Sequence, residues 1–200
     1  MNKTDPRVSK TLRQIDEALL SLLEEHPFRD VTVAMLCQTA MINKTTFYKY
    51  YQDKYDCLNR YLNRLLEEFR QEQDMSFVLA PADRVGEPEY QEGYLRMVKY
   101  LLGHKREYSI LWNARIDRPF FHEMDEMISE MIYATASAGR RLTPGQAAKL
   151  ELYSGVFSGH ALHMCRWLFQ HEGEISEQDV MRIMTGDLSN GIFRTFKEQV

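Results

Sequence analysis

Residues 31–58 read VTVAMLCQTAMINKTTFYKYYQDKYDCL, and the order of signals inside this stretch decides the fold. Thr32 is a good helix N-cap, because its hydroxyl oxygen can accept from an amide of the first turn. Val33, Leu36, Cys37 and Ala40 follow at spacings that place them on one face of a short helix ending near Thr39. Met41 and Ile42 make a turn. Asn43 can cap a second short helix carrying Lys44 to Tyr50. Asp53, with Asp56 three residues on, opens a longer helix whose inner stripe is Leu58, Tyr61, Leu62, Leu65, Leu66 and Phe69. Short helix, tight turn, short helix and long helix is the order of a helix-turn-helix, whose second helix enters the DNA major groove. Such a helix needs an apolar back, which Ile42, Phe47 and Tyr51 supply. It also needs a polar and basic front, which Lys44, Thr45, Thr46, Tyr48, Lys49 and Tyr50 supply.

Working outward, Leu12, Ile15, Leu19, Leu22 and Leu23 recur at three- and four-residue intervals, so Ser9 to His26 reads as an amphipathic helix that Pro27 ends. Phe28 and Val31 anchor the connection that follows. On the other side, periodicity fails between Asp74 and Pro88, where Pro81, Gly86 and Pro88 mark a loop or linker. Helical patterns return over Tyr90 to Leu102 and Lys105 to Trp112, and from Pro119 to about Ala138, which Gly139 closes. Thr143 and Pro144 start a long helix to about His171, and Ser176 with Asp179 caps a last one reaching Lys197. The expectation is an all-α chain of about nine helices without strands. Residues 1–53 would form a three-helix head with a basic arm, and residues 54–200 a ligand-binding and dimerisation bundle.

Composition limits the function. No window offers the roughly 18 uninterrupted apolar residues of a membrane span, and the basic N-terminus has no apolar stretch behind it. Cys37, Cys57 and Cys165 are odd in number and widely spaced, which suits reduced thiols and a cytoplasmic location. The net charge of −4 argues against indiscriminate coating of nucleic acid. Yet through residue 54 eight basic side chains meet seven acidic ones, and the basic ones cluster. Lys3, Arg7, Lys10 and Arg13 meet only Asp5, while Lys44, Lys49 and Lys54 meet only Asp53. Two small basic patches on an acidic chain suit phosphate contact at a defined site. No paired carboxylates at a motif spacing, Gly-rich phosphate loop or nucleophile elbow occurs, so an enzyme is not expected.

The run quoted above, with its Thr-Phe-Tyr, following aromatics, Asp-Lys and leucine, resembles the DNA-binding domain of the tetracycline-repressor (TetR) family. The likeness reaches back through Phe28 and the first helix and covers about a quarter of the chain. Phe157, Gly159, Arg166, Trp167 and Ser176 are similar, more loosely, to a C-terminal subtype found beside dihydroxyacetone-kinase-type regulators. The family resemblance implies that Thr32 and Lys54, at the starts of the second and fourth helices, grip phosphates, as helix N-termini favour anions. It places Thr45, Thr46 and Lys49 nearest base edges, with Lys44 and Tyr50 at the rim, and a phosphate on the Tyr48 hydroxyl. Lys3, Arg7 and Lys10 would reach the backbone or minor groove, or remain a plain arm. The family usually has glycine where this chain has Met41, and a methionine kept at positive φ would cost on the order of 1 kcal/mol.

The body admits several readings. Tyr94, Met97, Tyr108, Trp112, Phe120, Met124, Phe157 and His160 serve either as core or as the lining of an apolar cavity for a small-molecule inducer. His160 and His163 lie three apart with Cys165 nearby, but a zinc site needs three or four converging ligands. Satisfied polar residues are the preferred reading, and no metal or cofactor is expected. The last two helices carry apolar residues on more than one face: Leu152, Val156, Met164 and Leu168 in one, Met184, Leu188, Ile192 and Phe196 in the other. A four-helix interface with a second copy would cover them. The expected protein is a homodimeric repressor of a palindromic operator. The alternative is a helical co-regulator that works through a protein partner.

Overall fold

The computed structural model describes residues 6–81, 84, 87–171 and 173–191. Among them are nine α-helices and no strand: α1 (Pro6–Glu25), α2 (Val33–Thr39), α3 (Lys44–Tyr50), α4 (Lys54–Glu72), α5 (Pro88–Gly103), α6 (Lys105–Asn113), α7 (Phe120–Ser137), α8 (Pro144–Gln170) and α9 (Glu177–Asn190). None is long and apolar enough to cross a membrane. The chain divides into two compact units. One takes residues up to 71 together with 110–120, and the other takes 72–109 and the residues from 121 onward. The boundary expected at 53/54 thus falls inside the first unit, because α4 closes the core of the head.

In the first unit α1 buries Ile15, Leu19, Leu22 and Leu23 and packs on α2, and Phe28, Val31, Leu36, Phe47, Tyr51, Leu58 and Leu62 are buried in the same unit. A short 3-10 turn, Phe28–Asp30, links α1 to α2. Arg64 of α4 donates to Asp16 of α1 across 2.6 Å. Burial of the Asp16 carboxyl outweighs that cation, and its pKa is pushed up to about 6. Burial also pushes the Cys57 thiol up to about 12.

In the second unit, the stretch expected to be a loop after Asp74 contains a 3-10 turn, Met75–Leu79, anchored by buried Met75. Its Phe77 lies so close to α5 that a Cβ on Gly93 would come within 2.9 Å of the Phe77 Cβ. Glycine is needed there for close approach. The Phe77, Tyr94 and Phe157 rings meet with centroids 5.3–6.0 Å apart. Thr143 forms a capping box with Gln146, and Ser176 does the same with Asp179. The interior of α8 is small and partly polar: Ser158 donates to Asp125 of α7 at 2.6 Å, and Ala161 and Cys165 are fully buried.

Candidate DNA-binding site

The site is built by caps. Thr32 Oγ1 accepts from the Met35 amide at 3.2 Å and starts α2. Asn43 Oδ1 accepts from the Thr46 amide at 2.7 Å and starts α3. Between the helices the Ile42 amide donates to Cys37 and the Met41 amide to Gln38, the paired bonds of a Schellman turn. That turn requires a left-handed residue, and Met41 occupies it with φ 54°. Methionine therefore adopts the conformation for which glycine is preferred, and the turn keeps its form.

α3 sits on this turn with Phe47 wholly buried and Tyr51, its C-cap, buried below it. Lys44, Thr45, Tyr48 and Lys49 are exposed, while Thr46 and Tyr50 are half-buried. The Phe47 and Tyr48 rings meet edge to face at 5.6 Å. The Lys49 ammonium lies 5.6 Å from the Tyr50 ring centroid. Thr46 Oγ1 donates to the Asn43 cap at 2.8 Å, so its hydroxyl is tied to the helix start. Lys10 and Arg13 of α1 line, with Thr39 and Met41, an open groove of about 400 Å³. The basic end of α1 therefore lies alongside the turn. Arg7 is exposed on the first turn of α1, and Lys3 lies outside the described residues.

Lys54, expected at a phosphate, is engaged elsewhere. Its ammonium donates to the carbonyls of Phe28, Arg29 and Val31 at 2.9, 2.8 and 2.7 Å. The phosphate role read from the family resemblance finds no donor left on this side chain, since an ammonium has three.

The body residues separate into core and surface. Of the expected ligand set, Tyr94, Met97, Tyr108 and Met124 are fully buried in the second unit, and Trp112 and Phe120 are buried in the first. His160 bonds with Asp187 at 2.8 Å and faces the Tyr94 hydroxyl at 3.4 Å. Only Phe157 lines the apolar cavity of the second unit, about 240 Å³ between Phe77, Val78, Ile132, Ala136, Tyr153 and Phe157. The others are consumed by packing. Of the residues expected at a dimer interface, Leu168 and Met184 are likewise buried in their own unit, and Met164 is half-buried. Leu152 and Val156 are 64% and 55% exposed, with Tyr153 beside them at 68%. Ile192, Phe196 and the side chain of Leu188 lie outside the described residues.

Residues 15–61 match the model for bacterial regulatory proteins of the tetR family. This span holds α2, the turn, α3 and the first part of α4. Residues 15–61 thus carry the DNA-binding domain characteristic of regulators of the tetR family. A solved structure, the dihydroxyacetone kinase operon activator DhaS, shares the fold with a TM-score of 0.51 at 14% identity, over 94% of this chain and 95% of that one. No curated protein matches the sequence.

Proposed function

We propose that the protein is a cytoplasmic, ligand-responsive repressor that binds a near-palindromic operator as a homodimer. The observation that carries this reading is α3 itself. It rests on buried Phe47 and turns Lys44, Thr45, Tyr48 and Lys49 to solvent directly after a capped, tight turn. Thr45, Thr46 and Lys49 would meet base edges, with Lys44 and Tyr50 at the rim. The Tyr48 hydroxyl and the α2 start at Thr32 would meet phosphates. The exposed Leu152, Tyr153 and Val156 of α8 supply the apolar surface for a second copy. Two recognition helices would then face half-sites about 34–36 Å apart. The 240 Å³ cavity beside Phe157 has the apolar character expected of an inducer site.

Binding to the chain's own upstream DNA tests the reading. A specific shift that survives competitor DNA and weakens steeply with salt is expected. Lys49→Ala should change which operators are preferred while leaving the fold intact. Absence of a specific complex with any upstream fragment overturns it.

A further inference from the structure

We propose that Lys54 is a positioning residue: its ammonium staples the segment before α2 to the start of α4 and so closes the chain around the helix-turn-helix. The proposal rests on the DNA-binding reading of α3 but reverses the role that the family resemblance gives this lysine. Three observations carry it. First, the three ammonium hydrogens meet three main-chain carbonyls at 2.7–2.9 Å, those of Phe28, Arg29 and Val31, which uses every donor the group has. Second, Nζ lies 4.9 Å from the Phe28 ring centroid and 5.3 Å from that of Tyr55, and these rings stand edge to face at 5.3 Å. The cation is held between carbonyls and π faces. Third, Lys54 is the first residue of α4, where the helix dipole disfavours a positive charge. Carbonyl oxygens offset that cost, so a cation at this position has a structural reason within the chain.

The staple joins residues 23 to 26 positions apart. Everything it encloses is the reading head: α2, the turn and α3. Phe28 and Val31 are buried, and the Val31 carbonyl immediately precedes Thr32, the α2 cap. Removing the ammonium frees the head from one end and takes a donor from three carbonyls, of which that of Phe28 keeps the Val31 amide at 3.1 Å. Lys54 thereby acts on DNA through the placement of α2 and α3.

The test compares Lys54→Met and Lys54→Arg in the full chain, against an operator selected from random DNA by the unmodified protein. Methionine keeps an apolar stem over the rings and removes the donors. Arginine keeps the charge and the reach to phosphate, but its planar fork does not fit three converging carbonyls. Both variants are expected to bind about tenfold or more weakly, with the slope of log affinity against log salt unchanged and faster amide exchange in α2 and α3. A slope shallower by about 0.9 in Lys54→Met, with wild-type binding in Lys54→Arg, is the signature of a lost phosphate contact and overturns the proposal. So does unchanged affinity in Lys54→Met.

Should either variant fail to fold, NMR of the wild-type ammonium decides. A slowly exchanging Lys54 Nζ signal in the free protein, without coupling to phosphorus in the complex, supports the staple. Its absence in the free protein, or a phosphorus coupling in the complex, refutes it. If the wild-type chain binds no DNA, the functional reading fails, while the free-protein signal still tests the staple.

Discussion

Replacing Met41 with glycine should stabilise the head. The residue sits at φ 54° in the turn between α2 and α3 and is 89% exposed, so the substitution relieves backbone strain while removing almost no buried surface. A side chain in the left-handed region costs roughly 1–2 kcal/mol, and glycine returns about 0.5–1 kcal/mol of that through the greater freedom of the unfolded chain. The net gain is about 0.5–1 kcal/mol. For a unit of this size that raises Tm by about 2–8 °C. Met41→Ala isolates the cause. Alanine keeps the Cβ and therefore the strain, so its Tm should stay near wild type. Thermal unfolding of all three proteins by calorimetry checks the reasoning. A lower Tm for Met41→Gly, or an equal rise for Met41→Ala, shows that left-handed strain at this residue is not what the turn carries.

The Asp16 carboxyl, with its pKa raised by burial to about 6, binds a proton more readily in the folded chain than in the unfolded one. Its contribution is therefore fully present below about pH 4 and lost as pH rises through about 6, by at most ~3 kcal/mol. Denaturant unfolding across this range should show that slope in the wild type and a flatter one in Asp16→Asn; equal slopes refute it. Phe47, wholly buried beneath the recognition helix, should cost about 3–5 kcal/mol on truncation to alanine, measured by urea unfolding. A loss under 1 kcal/mol would mean that α3 does not depend on this anchor. Leu152→Glu together with Val156→Glu should give a monomer in sedimentation at unchanged helicity, since both side chains are already exposed; a persistent dimer moves the interface off this face.

What the sequence made legible is local. Thr32, Asn43, Thr143 and Ser176 were readable as caps because each bonds an amide three residues ahead, and that geometry needs nothing beyond the chain's own direction. Gly139 was readable as a helix end for the same reason, and its φ is 69°. The candidate site was legible to the extent that it is made of such local pieces: a capped helix, a turn and a second capped helix in register. The partners of Lys54 were not legible. They lie 23 to 26 residues back, and no spacing rule distinguishes a lysine that meets phosphate from one that meets carbonyls.

The body resisted reading for a related reason. Periodicity tells which residues share a face but not what that face meets. Leu168 and Met184 belong to α8 and α9 as expected, yet they face their own unit; Leu152 and Val156 are the ones left to solvent. Composition has the same blind spot. Tyr94, Met97, Tyr108 and Met124 are aromatic and methionine residues that a cavity or a core would use equally, and here close packing takes them. The cavity forms instead beside Phe77, in a stretch whose prolines and glycine read as a loop. Its one sequence trace is Gly93, which lacks a side chain where Phe77 must enter. A glycine inside a helical pattern, opposite an isolated aromatic in a neighbouring loop, is thus a sign of close approach as much as of a weak helix. In this chain that approach shapes the wall of the only pocket to which a predicted ligand residue, Phe157, contributes among the described cavities.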